Sequence, residues 1–201
     1  QQFVSDDFRI YTSTKQETKS NSWLGNASFS VSLDFIRGMA GVDVQYFNSS
    51  SLLIAEKQTM PYNTEMCNVE FSANGQLVSW MNWNYSIAHN LYTLSINEMD
   101  KNTLHGWQHN LVCNIVPTKR WTIQLSGEYY RNEVTPKRYK DLVMANAKST
   151  YKISNRLELS LQLKNLLNHQ QYAYTVYNNL SAIKQEHGIR GREFLIGFSW
   201  R

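Results

Sequence analysis

The chain has 201 residues, 42% of them hydrophobic and 13% aromatic, with a formal charge of +4. That length suits one large β-domain or two small ones, and the scattered lysines and arginines argue against a nucleic-acid partner. No segment supplies the roughly 18–20 consecutive apolar residues of a membrane-spanning helix, while a mean hydropathy of −0.49 leaves barrels open, because alternating strands average out.

The elements share a period of two, the mark of strands with one apolar and one polar face. In chain order, a short strand is expected at residues 3–12. At residues 23–35 the odd positions carry Trp23, Gly25, Ala27, Phe29, Val31, Leu33 and Phe35, against Asn26, Ser28, Ser30, Ser32 and Asp34. After Arg37-Gly38 the chain returns through Ala40, Val42, Val44 and Tyr46. Cys67, Val69, Phe71 and Ala73 run into Asn74-Gly75, a dipeptide that predicts a tight hairpin because both positions accept positive φ. Leu77, Met81, Trp83, Tyr85 and Ile87 come next, and Trp107, Leu111, Cys113 and Ile115 lead to a turn at Pro117-Thr118-Lys119-Arg120. Trp121, Ile123, Leu125 and Tyr129 follow, then Val143, Ala145, Ala147, Tyr151 and Ile153, which reach Ser154-Asn155-Arg156. The stretch LELSLQL alternates without a break from Leu157 to Leu163, and Phe194, Ile196, Phe198 and Trp200 close the chain. About ten strands result, with no segment of helical period. Cys67 and Cys113 fall in the apolar phase and read as small hydrophobes rather than as a bridge or metal pair.

Tight turns at 37–38, 74–75, 117–120 and 154–156 alternate with polar stretches read as long loops at 13–21, 50–61, 88–104 and 132–140. Short turns at one end of a sheet and long loops at the other are the asymmetry of an outer-membrane barrel. A propeller would need four short strands per repeat of this length, and two longer ones are present. The polar phase holds few charges and many small amides and hydroxyls, for example Asn82, Asn84, Ser86, Gln108, Asn110 and Asn114. Such groups suit a wet lumen better than a surface in bulk water. Aromatic residues of the apolar phase gather at two heights, with Phe35, Trp121, Tyr151 and Trp200 near the tight turns and Trp23, Tyr46, Tyr85, Trp107 and Tyr129 near the loops. From Trp121 to Tyr129 is about 27 Å along a strand, or roughly 21 Å after tilting, close to the ~25 Å apolar band between aromatic girdles. The fold expected is therefore all-β, an antiparallel transmembrane β-barrel segment. A self-contained small outer-membrane barrel (an adhesin or structural protein) and a soluble β-barrel binding an apolar ligand are the alternatives.

The stretch LQLKNLLNHQQYAY, followed by IRGREFLIGFSWR, resembles the C-terminal end of TonB-dependent outer-membrane receptors. In that family the penultimate strand ends in an Asn-Leu-(Phe/Leu)-Asn motif, here Asn165-Leu166-Leu167-Asn168, followed by aromatics, here Tyr172 and Tyr174. The last strand begins with Arg-x-Arg, here Arg190-Gly191-Arg192, and alternates to an aromatic end, here Phe198 and Trp200. The chain departs from the pattern by ending on Trp200-Arg201 rather than on the aromatic. The resemblance implies a share in a 22-stranded barrel with an internal plug. Such a barrel takes up a scarce nutrient (an iron chelate, cobalamin or a glycan) when the TonB complex pulls the plug. It also implies a Gram-negative outer membrane, contact with lipopolysaccharide, and recognition by the barrel-assembly machinery. This chain would supply about the last ten strands, with no plug of its own. Gln1-Gln2-Phe3 lacks the basic start and apolar run of an export signal, so a cleaved leader or a piece of a longer chain is expected.

The resemblance makes Gly197, Phe198 and Trp200 the assembly signal, read by strand-edge pairing. Arg190 and Arg192 could meet lipid phosphates. The segments YNTEM (62–66) and NLYTLSINEMDKNTLHGW (90–107) are candidate ligand contacts. His105 and His109 share a phase, but about 13 Å of strand separates them, too far for one metal ion. No nucleophile–base spacing, phosphate loop or buried carboxylate pair is visible, so neither an enzyme nor a cofactor is expected.

Overall fold

The computed structural model describes residues 2–4, 10–12, 20–55, 58–96, 100–177 and 182–200. Strands β1 (Gln2–Val4) and β2 (Ile10–Thr12) pair with each other, so the single strand expected at residues 3–12 is two. The body of the molecule begins with β3 (Asn21–Leu33), a single 3-10 turn (Asp34–Ile36), β4 (Gly38–Ala55) and β5 (Gln58–Val78). It continues through β6 (Met81–Ile96), β7 (Asp100–Thr118), β8 (Trp121–Thr135), β9 (Arg138–Lys152) and β10 (Leu157–Lys164). A second hairpin, β11 (Gln171–Tyr177) and β12 (Ala182–Gly188), precedes β13 (Glu193–Trp200). Nine strands form one antiparallel sheet in the order β13-β10-β9-β8-β7-β6-β5-β4-β3.

The apolar and polar phases hold their faces across the sheet. One row reads Phe29, Val42, Phe71, Ile87, His109, Tyr129 and Val143, each residue opposite the next across the strand boundary. Among the described residues nothing covers this face. Phe29 is 70% exposed, and among the described residues no large side chain is fully buried. A soluble sandwich would bury such a face under a second layer, and the described residues supply none.

Two expectations about connections are corrected. Asn74-Gly75 is not a hairpin: β5 runs on to Val78 and the chain reverses at Ser79-Trp80. The glycine answers crowding rather than φ. A Cβ on Gly75 would stand 2.8 Å from the Ile36 carbonyl oxygen, and one on Gly38 only 1.9 Å from that of Asn74. The 3-10 turn and the start of β4 thus press on the β5 backbone at this point. The second correction concerns the loops. Residues 50–61, 88–104 and 132–140 are mostly strand, with Ala55 opposite Gln58, Ile96 opposite Asp100 and Thr135 opposite Arg138. Both faces of a strand that leaves the bilayer are wet, so the alternation that reveals it fades. Strands of 15 to 21 residues in β4–β9 are longer than the ~9–11 that a bilayer crossing needs, and their upper parts form paired hairpins. Residues 13–19 lie outside the described residues.

Candidate functional site

The apolar face has a floor and a ceiling. At the tight-turn end Trp121 stands opposite Tyr151, Tyr151 opposite Leu159, Leu159 opposite Phe198, and Leu157 opposite Trp200. The Trp121 indole donates to Ser149 Oγ at 2.8 Å, so the ring is anchored while its body stays apolar. Phe35 projects from the 3-10 turn, 83% exposed. At the other end the Trp23 and Tyr46 rings meet at 4.7 Å, Trp107 stacks on His89 at 4.0 Å, and Tyr129 lies against His109 at 5.5 Å. Tyr85 is placed lower than the loop-end group: it sits four residues into β6, opposite Ala73 and Leu111, and its hydroxyl meets His109 Nδ1 at 2.8 Å.

Above that ring the same face turns polar, a boundary the alternation could not reveal. Arg131 faces Asp141 at 3.9 Å and lies 4.7 Å over the Tyr139 ring. Glu133 accepts the His105 amide at 3.1 Å and also the Lys137 amide. His105 Nδ1 is 3.4 Å from His89 Nε2. The candidate segment 62–66 lies opposite residues 92–96, with Lys101 3.9 Å from Glu65 and Thr93 3.0 Å from Thr103.

The segment linking β10 to β11 forms a clasp. Asn165 and Asn168 take left-handed φ values of 50° and 59°, a region that Asn tolerates and most residues avoid. Asn165, 5% exposed, donates from Nδ2 to the carbonyls of His169 (2.7 Å) and Arg190 (2.8 Å). Its Oδ1 accepts the His169 amide at 3.0 Å. Asn168 Oδ1 accepts the Arg192 amide at 3.0 Å, and the Arg192 guanidinium grips the Leu166 carbonyl through Nε (3.1 Å) and Nη2 (2.7 Å). Leu166 adds a backbone bond to Ala145, while the Leu167 side chain is half exposed. The two motifs taken separately from the sequence are therefore one hydrogen-bonded unit. Arg192 is bonded to this unit while remaining exposed, and Arg190, also exposed, lies 3.5 Å from Glu193.

The clasp interrupts a long hairpin. Below it β10 and β13 pair from Lys164 opposite Glu193 down to Leu157 opposite Trp200; above it β11 pairs with β12. Tyr172 leans onto β8, where its hydroxyl accepts a bond from Asn132 at 3.0 Å. Tyr174 lies in β11. In β13, Gly197 makes room for Ser160, whose Oγ would be 2.7 Å from an added Cβ. Phe198 and Trp200 are 72% and 73% exposed on the apolar face.

The model of the outer membrane protein beta-barrel family matches residues 6–200. The chain belongs to that family. No curated protein and no solved structure matches the chain. For an outer membrane β-barrel protein the uncovered face needs no second layer, because acyl chains cover it. The all-β antiparallel sheet is thus of the transmembrane barrel class, and the amide and hydroxyl phase is its water side.

Proposed function

We propose that the chain is the C-terminal wall of a TonB-dependent receptor in the outer membrane of a Gram-negative bacterium. In this role it shares in the uptake of a scarce nutrient such as an iron chelate, cobalamin or a glycan. The observation that carries this reading is the clasp, because the residues that resemble the receptor motif, Asn165, Asn168 and Arg192, bond to one another and to the two strands they join. A second support is the sheet's open form. Among the described residues β3 and β13 pair on one side only, and lipid tolerates no open edge, which suits a wall that takes its place among other strands of a larger barrel.

On this reading β13, ending at Phe198 and Trp200, is offered to the barrel-assembly machinery, Arg190 reaches toward lipopolysaccharide, and the water side faces a plug coupled to the TonB complex. The wall contributes no catalytic group. Uptake of radiolabelled ferric chelates, cobalamin and oligosaccharides by cells with and without this gene, each with and without TonB, tests the assignment. Uptake lost in both deletions is expected. Uptake that needs the gene but proceeds without TonB would show a passive pore and refute it.

A further inference from the structure

The water side of the sheet is largely polar, with scattered apolar residues such as Met39, Val112 and Met144, and in one row apolar residues follow one another across five strands. Leu24, Phe47, Met66, Tyr92 and Leu104 stand opposite one another across β3 to β7, in the phase that also carries Asn26, Gln45, Asn68 and Asn90. Leu24 is 71% exposed and Met66 42%. The next row toward the tight turns is a run of amides: Asn26, Gln45, Asn68 and Asn90, extended past Gly106 by Asn132. Asn68 Nδ2 donates to Asn90 Oδ1 at 2.8 Å, so part of the run is already ordered. A pocket of 430 Å³ is lined by residues of both rows, among them Phe47, Met66, Tyr92, Gln45, Asn68 and Asn90, and also by Cys67 and Leu91. One row further on, Asp43 and Glu70 face each other directly.

Exposed apolar strips rimmed by convergent polar groups are ligand sites more often than accidents. Here the chemistry narrows the ligand. A strip of Phe, Tyr, Leu and Met suits the C–H face of a sugar ring, and primary amides offer donor and acceptor together, as paired hydroxyls need. Carboxylates at Asp43 and Glu70 disfavour an anionic ligand. The spacing argues in the same direction. Successive strands place one strip residue and one amide about every 4.8 Å, close to the repeat of a chain of hexose rings. A peptide laid along the row would offer same-face side chains about 6.6 Å apart and lose register. An acyl chain would leave the amides unused.

We infer that these two rows form a binding strip for a neutral oligosaccharide at the loop-end mouth of the lumen. The inference deepens the receptor reading and rests on it, since the face must line a pore. The test is capture of the full protein, in detergent micelles, on an array of neutral and acidic oligosaccharides carrying a synthetic apolar peptide as a further spot. The variants are Tyr92→Ala, Phe47→Ala and Asn68→Ala. Tyr92→Phe serves as the conservative control and Leu111→Ala as the lipid-face control, with heat-modifiable migration reporting that each variant is folded.

Neutral sugars captured, about tenfold more weakly by Tyr92→Ala and Phe47→Ala but unchanged by Tyr92→Phe and Leu111→Ala, is the expected result. No capture, preference for acidic sugars or for the peptide, or capture indifferent to the strip variants would overturn the proposal. Capture needs no energy source, so binding without TonB-dependent uptake counts against the receptor reading alone. Uptake without capture counts against the strip alone.

Discussion

Asn165→Ala is the sharpest perturbation of the clasp. The side chain makes three hydrogen bonds, to the His169 carbonyl, the Arg190 carbonyl and the His169 amide, in a position almost closed to water. Each is worth about 1 kcal/mol net, so about 3 kcal/mol is lost with the amide. The φ of 50° adds a second cost. Alanine in the left-handed region costs roughly 1–2 kcal/mol more, giving about 4–5 kcal/mol for Asn165→Ala. Asn165→Gly removes the bonds but not the φ compatibility and should cost about 3 kcal/mol, plus up to about 1 for glycine's greater freedom when unfolded. Urea titration of the protein in phospholipid vesicles, followed by tryptophan emission and by heat-modifiable migration, measures both. An alanine variant within about 1 kcal/mol of the parent would refute the hydrogen-bond account. Alanine no worse than glycine would refute the backbone account.

Arginine at Leu161, in the middle of the lipid-facing phase, should cost about 2–4 kcal/mol in the same vesicle assay. Arginine at neighbouring Gln162, on the water side, should cost under about 1 kcal/mol, and equal penalties would contradict the orientation. Gly38→Ala should shift or prevent folding, because its Cβ would sit 1.9 Å from the Asn74 carbonyl oxygen; parental migration and urea midpoint would count against that packing. Trp83 Nε1 is a buried donor without an acceptor among the described residues, so Trp83→Phe should stabilise by about 1 kcal/mol, and a loss of stability would mean that the indole has a partner. Arg192→Lys replaces a two-pronged grip on the Leu166 carbonyl by a single donor and should cost about 1 kcal/mol in urea titration, where no change would assign the guanidinium no structural part.

Strand identity and facing were legible because a bilayer demands a strict alternation, and residues 25–33 and 157–163 carry it without interruption. The outer-membrane barrel class is reached from both sides, by alternation in the sequence and by the family match over residues 6–200. Where both faces are wet the signal vanishes, so the upper halves of β4 to β9 read as loops. Asn74-Gly75 misled because the same dipeptide serves two needs, positive φ and lack of bulk, and only the neighbouring chain at Ile36 tells which applies. The clasp was half legible. Asn165, Asn168, Arg190 and Arg192 stood out as motif residues, but pairing across 25 residues is a tertiary fact. The strip was missed because Leu24, Phe47, Met66, Tyr92 and Leu104 are one residue each from five strands, aligned only by register.

The order of the nine-stranded sheet has a kinetic consequence. From β3 to β10 every strand pairs with its immediate successor in the chain, and only β13 reaches back past an intervening hairpin to β10. Ladders of this kind close short loops one after another, so ordering can spread by zippering from any early pair without a long-range search. The β10–β13 contact is the exception: its closure follows the β11–β12 hairpin, and the bonds from Asn165 to Arg190 and from Arg192 to Asn168 and Leu166 hold it once formed.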